Sequence, residues 1–400
     1  MKSQRTQELR LCLGVALSTS IGHEQLIILP FEATAIGSGL ALSATKTGML
    51  MTLGLGCYAL TNILLVPIMS RLSPRRVAMA GSALAFAATV LLAFTTKFSV
   101  FALFQALAGI GFGAIFASGN ASGTGAAEPE RGYSLGMGVA VVFGTLLPIL
   151  VAQFPSQSSI GSLTLLPQSV FLIMSGFVAL MMLPTLLFLP KDPPGSCTAQ
   201  ISQSAPKMRS GLSIAAVAIM TFFSIGGFSV YTLLEGKALS LLMNVPQVGT
   251  LIGLSDALSL TGTIASTWLG RRYGLKMPLV LSLLAEGLLA LAIGSSRSPL
   301  EFTIATIIFI AVWNFVYPYI MGLGATLDPA GRLATALGAA YLVGSSVAAT
   351  EGGILLQAGG FILTGAGACV LCATAATIGL IMKVRTQGTV VIEPPCTAAE

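Results

Sequence analysis

Apolar runs of about 20 residues return along the whole of this 400-residue chain, and each is long enough, as a helix, to cross roughly 30 Å of hydrocarbon. Twelve are read, near residues 11–36, 47–70, 76–96, 99–124, 132–153 and 167–189, then 211–235, 246–270, 277–296, 300–325, 333–356 and 360–383. They are continuous, unlike the short alternating strands of a membrane barrel. Composition points the same way: 54% of residues are hydrophobic, 8% are charged, and the mean hydropathy is +0.90. The expected fold is an all-α integral membrane protein of twelve transmembrane helices.

The basic residues orient it. With the N-terminus in the cytoplasm, Lys46, Lys97, Lys237 and Arg297 fall outside and the other sixteen of the 20 Lys and Arg fall inside, the asymmetry that sets topology. Both termini are then cytoplasmic, in the plasma (inner) membrane. The net charge of +6 follows from this bias and from attraction to anionic lipids. No basic stripe is interleaved with aromatics, so nucleic acid is not an expected partner.

Lys191 to Ser210, rich in Pro, Ser and charge, is the longest polar interruption and divides the spans six and six. The expected domains are 1–190, a six-helix bundle; 191–210, a cytoplasmic linker; and 211–400, a second bundle with a short tail. Arg71, Arg75 and Arg76 after span two are echoed by Arg271, Arg272 and Lys276 after span eight. Paired halves of this kind place a substrate site near the midplane between them.

Several chemistries are disfavoured. The six cysteines are scattered, and the Cys369–Cys372 CxxC pair lies inside an apolar span without a second pair or a histidine to complete a metal site. No metal or other cofactor is expected. HExxH, GxSxG and GxxxxGK[ST] are absent, which argues against an intramembrane enzyme and against an ATP-driven pump. The apolar run at the start lacks a small-residue cleavage site, so span one is read as retained.

Acids inside the spans carry the strongest functional signal. Apart from Glu301 and Lys383 at the very ends of two runs, six of the 14 acids, Glu24, Glu32, Glu235, Asp256, Glu286 and Glu351, fall within apolar runs, whereas the basic residues are placed in loops or tails. A central aspartate costs about 2.5–3.5 kcal/mol on insertion scales, so such residues are kept where they face a cavity. Glu24, Asp256 and Glu286 lie near mid-span, while Glu32, Glu235 and Glu351 lie toward the outer face, where wetted helix ends would explain Glu235 fully and the other two as well as function would. With no membrane base to pair them, protonation is the simplest compensation. Glu24 is the leading proton carrier, with Asp256 and Glu32 beside it. Pro30 can kink the helix between Glu24 and Glu32, and His23 points roughly 100° away from Glu24, as a packed ring or a relay.

The chain resembles the major facilitator superfamily of secondary transporters from about Leu11 to Lys383, and within it the twelve-span drug and sugar efflux antiporters. Glu24-Gln25-Leu26-Ile27 matches a span-one glutamate followed by an apolar run. PIMSRLSPRR (Pro67 to Arg76) keeps only the closing basic pair of the G-x-L-A-D-R-x-G-R-R loop after span two. TWLGRRYGLK (Thr267 to Lys276) keeps Leu269, Arg272, Gly274 and Lys276, with Arg271 in place of the Asp. QALAGIG (Gln105 to Gly111) keeps both glycines of the span-four R-x-x-x-G-x-G, with Gln105 where the arginine stands. The resemblance implies gating loops at Arg71, Arg75, Arg76, Arg272 and Lys276, and the arginine that Gln105 replaces is implicated in proton transfer in related antiporters. Helix nine is peripheral in this family, which lowers Glu286.

The same resemblance implies a cavity lined by spans one, four, seven and ten. Gln105, Phe112, Phe116 and Asn120 share one face of span four with Gly109; Tyr231 is offered by span seven and Trp313, Asn314 and Tyr317 by span ten. The glycines of AGIGFGA follow no strand, so they read as close helix packing. An acidic, aromatic cavity without internal bases disfavours organic anions. The expectation is a secondary transporter, monomeric in a lipid bilayer, that exports small lipophilic, neutral or cationic compounds against protons by alternating access. A proton-coupled importer or an uncoupled facilitator of a small organic solute is the alternative.

Overall fold

The computed structural model describes residues 2–123, 129–154, 159–160, 163–164, 169–191, 210–273, 276–328 and 332–382. The expected linker lies almost wholly outside them, at 192–209, as do Lys383, Arg385 and the tail. The helices in chain order are α1 (Lys2–Ile27), α2 (Leu29–Gly39), α3 (Ala44–Leu65), α4 (Pro74–Ala93), α5 (Phe98–Gly123), α6 (Pro129–Gln153) and α7 (Ser169–Phe188). After the link come α8 (Ser210–Tyr231), α9 (Leu234–Ser240), α10 (Val245–Tyr273), α11 (Lys276–Ser295), α12 (Pro299–Leu327) and α13 (Arg332–Ile381). Strand structure among the described residues is one antiparallel pair of two-residue strands, Ser159–Ile160 with Leu163–Thr164.

Among the described residues nine helices are long and apolar enough to span a bilayer, or ten when the bent pair α1 and α2 counts as one span. The shorter apolar stretch Val139–Gln153 of α6 adds another. The last comes from α13, whose helical geometry fails at Gly359 and at Gly360, with φ of 71°. Gly367 lies back against Leu355 and Glu351, so the chain reverses at this break and α13 holds two spans. The total matches the twelve apolar runs.

Proline sets the bend of span one. Pro30 has no N–H for the Leu26 carbonyl four residues earlier, and the two helices meet at 47°. Span seven is also in two pieces, α8 ending at Tyr231 and α9 beginning at Leu234. α9 carries Lys237, which the sequence placed in a loop; instead it is buried in a helix, donates to the Ser296 carbonyl at 2.8 Å and lies 5.3 Å from the Phe361 ring. Its long stem reaches a helix end and its charge finds a carbonyl and an aromatic face.

Small residues set the helix spacing. A Cβ on Gly113 would come within 2.6 Å of the Tyr58 carbonyl, and one on Gly111 within 2.6 Å of the Ala85 amide nitrogen. Gly109 faces the Gly54 carbonyl in the same way. The glycines of AGIGFGA therefore lock α5 against α3 and α4, as close packing requires.

The first six spans meet the last six through α3 with α13, α6 with α10, and α2 with α9. The residues involved cluster at the outer ends, in the orientation that the basic residues predict. Thr45 donates to Gln357 at 2.6 Å, Thr52 donates to the Ser346 carbonyl at 2.5 Å, and Gly249 lies against Ala152 and Pro148. The molecule is closed at that face.

Candidate functional site

Glu24 and Glu32 sit on either side of the bend in span one, at 0% and 1% exposure. They are eight residues apart in sequence, a little over two helical turns and about 80° around a straight helix. Each lies within electrostatic reach of the other. Neither oxygen of Glu24 has a hydrogen-bond partner among the described residues. Gln105 Nε2 of α5 donates to Glu32 Oε1, while Glu32 Oε2 and Gln105 Oε1 are unpartnered among the described residues. Gly54 of α3 makes room for Gln105, since a Cβ there would stand 2.9 Å from its Cγ. The reading of Glu32 as a wetted helix end is corrected: Pro30 and the bend turn it into the bundle.

Aromatic rings surround this centre. His23 meets Phe116 edge-on at 4.7 Å between centroids, and its Nδ1 is 3.0 Å from the Thr19 carbonyl of its own helix. It is a packed ring. Phe116 also lies 5.8 Å from Tyr58 of α3, a fully buried tyrosine whose hydroxyl has no partner among the described residues. Tyr58 in turn is within electrostatic reach of Tyr317 and Tyr341, which meet edge-on 5.0 Å apart in the second half. The two halves thus meet through tyrosines.

The structure sorts the predicted cavity residues. Phe116, Asn120, Tyr231, Asn314 and Tyr317 keep partial exposure. Phe112 is fully buried in the bundle core, and Gln105 is sealed with Glu32, so neither lines an accessible wall. Trp313, 9% exposed, is the hub of a cluster with Phe223 at 5.3 Å, Phe228 at 4.7 Å and Phe309 at 5.8 Å, and Gly227 gives its ring room. Its surroundings are those of a core residue. Asn314 Nδ2 donates to the Ile310 carbonyl of its own helix at 3.1 Å. Tyr231 donates to the Ile27 carbonyl at 2.7 Å, across the two halves.

The remaining acids divide. Asp256 of α10 is half-buried, lies against Gly144 of α6 and reaches Tyr231 electrostatically. Glu235, read from sequence as a wetted end, is 4% exposed and hydrogen-bonds with Thr34 across the seal between the halves. Burial at that seal overturns the earlier placement. Glu351 pairs with Ser229. Glu286 is 0% exposed, with both oxygens unpartnered among the described residues, beside Cys372 of α13. α11 therefore hides an acid as deeply as span one does, but it is not brought to Glu24.

At the connections opposite the closed face Arg71 ends a 3-10 turn, Val66–Arg71, and is exposed, as is Arg76; the Arg75 amide donates to the Pro190 carbonyl at 3.3 Å. The Arg272 side chain lies outside the described residues. Lys276 donates to the carbonyls of Leu380 at 2.6 Å and Met382 at 3.0 Å, capping the end of α13. Sequence reasoning missed Tyr58 and Tyr341, because a tyrosine in an apolar span defaults to lipid or core packing and neither sits in a motif. It also missed Asp328, which accepts from Arg332 and from the Leu333 amide where α13 begins.

Comparison with known proteins joins these features. No curated protein matches the sequence significantly. The fold is similar to a bacterial homologue of the human lysosomal transporter Spinster in its inward-facing, unoccupied conformation, at TM-score 0.70, 14% identity, and 94% and 95% coverage of the two chains. It is similar to a D-xylose–proton symporter at TM-score 0.70 and 14% identity, covering 93% of this chain and 97% of that one. For the nucleoside transporter NupG the values are 0.66 and 14%, with 94% and 97% covered. The family model described as Major Facilitator Superfamily matches residues 13–352, most of the chain. A multi-pass helical membrane protein with a bent, acid-bearing first span, it is a non-enzymatic transporter that belongs to the Major Facilitator Superfamily.

Proposed function

We propose that the chain exports small lipophilic, neutral or cationic compounds in exchange for protons, by alternating access between two six-span bundles joined by residues 191–210. One observation carries this: Glu24 and Glu32 are buried together in span one, in no ion pair among the described residues, with three of their four carboxyl oxygens unpartnered. A buried charge without a partner is expensive, and a proton is the one counter-charge that needs no added space. A substrate cation or a proton would occupy the same oxygens in turn. The site's aromatic rings, Phe116, Tyr317 and Tyr341, suit flat apolar molecules. The expected setting is a monomer in the plasma membrane with both termini cytoplasmic.

The test is reconstitution in liposomes with an imposed pH gradient, using ethidium as a lipophilic cation probe. The wild type should accumulate ethidium against its gradient. Glu24→Gln and Glu32→Gln should each stop uphill movement while the protein stays folded. Undiminished accumulation by the double variant would remove both acids from the mechanism. Import is a second reading, supported by likeness to a proton symporter; reversing the pH gradient separates the two directions.

A further inference from the structure

Tyr231 is the last residue of α8, and its hydroxyl leaves its own half of the chain to reach α1, donating to the Ile27 carbonyl at 2.7 Å. Ile27 ends α1 at the 47° bend, three residues after Glu24 and five before Glu32. The missing Pro30 N–H leaves the Leu26 carbonyl without its helical donor, and at the bend beside it the Ile27 carbonyl takes its hydrogen from the neighbouring element. The Tyr231 ring is held 6.2 Å from Phe228 and 6.3 Å from Trp313, so packing fixes where its hydroxyl points. The ionisable side chains in electrostatic reach of it are Asp256 of α10 and Tyr341 of α13. The neighbouring pieces of the same spans also meet: α2 contacts α9, and Thr34 hydrogen-bonds with Glu235.

We infer that Tyr231 is a positioning residue which makes the bend of span one a working part of the outer gate. While its hydroxyl holds the Ile27 carbonyl, the outer ends of spans one and seven stay together and the stretch between Glu24 and Glu32 stays bent and sealed. Opening of the outer face requires that bond to break, so the bend and the gate change as one. The link to the two acids rests on the proton-coupling proposal above; the gate itself does not.

The experiment places spin labels at Lys46 and Leu242, both exposed at the outer face on opposite halves, in a background lacking the six native cysteines. Pulsed dipolar spectroscopy in liposomes then reports the outer separation. Tyr231→Phe keeps the ring and removes only the donor. It should raise the ratio of open to closed outer separations about fivefold, the value of one ordinary hydrogen bond, with the protein still folded. Pro30→Ala, which restores the N–H for Leu26, should shift the ratio in the same direction. Distance distributions identical to wild type in both variants would overturn the inference. A shift in them together with full uphill transport by Glu24→Gln would sink the proton-coupling proposal and leave the gate standing.

Discussion

Gln105 gives an amide hydrogen to Glu32 at the position where the family resemblance called for an arginine. A neutral donor satisfies one carboxylate oxygen and cannot neutralise it, so the acid keeps a need for a proton or a cation that an arginine would have met permanently. Gln105→Arg is therefore expected to reduce proton-driven ethidium transport at least tenfold, measured in liposomes under a fixed gradient. Gly54 leaves little space there, so Gln105→Lys serves as a slimmer control with the same expected direction.

Phe116 and Phe112 should separate binding from packing. Phe116→Ala removes the ring between His23 and Tyr58, and ethidium affinity by fluorescence titration should fall several-fold with little change in melting temperature. Phe112 is sealed in the core, so Phe112→Ala should cost about 3–5 kcal/mol of stability, read as a lower melting temperature in detergent, with affinity retained in the folded fraction.

Glu286 and Glu24 are buried alike and should behave differently. Glu286→Gln is expected to leave uphill transport within about twofold of wild type, a margin of order 0.4 kcal/mol, because the acid faces Cys372 and not the span-one pair. Loss of pH-driven transport in that variant, with equal protein levels in the vesicles, would give the second half a proton site of its own.

Lys276 caps the Leu380 and Met382 carbonyls, so its expected effect is on stability. Lys276→Ala should lose up to about 1 kcal/mol, since the ammonium is exposed, and unfolding in a denaturant series should show it. Transport per folded molecule should be unchanged.

The fold was legible because lipid imposes one strong rule: every backbone polar group in the hydrocarbon must be satisfied within a helix, so run length alone predicts spans. The bend at Pro30 was legible for a similar local reason. Burial was less so. Lys237 read as a loop cation because sequence cannot show that a helix restarts at Leu234, and Glu235 read as wetted because depth along a helix says nothing of what covers it. Trp313 and Phe112 were placed in a cavity wall by helical spacing, yet three neighbouring aromatics enclose one and the bundle core encloses the other. Tyr58 and Tyr341 were invisible because their meeting depends on contact between helices far apart in sequence.

The glycine contacts of α5 with α3 and α4 bear on how this transporter can diversify. Gly111 abuts Gly81 and Ala85, and Gly113 abuts Tyr58, with no allowance even for a methyl group. Those three rods are keyed together and cannot slide to suit a bulkier cargo. New specificity has to arise by exchanging projecting rings such as Phe116, within a frame whose shape is held constant.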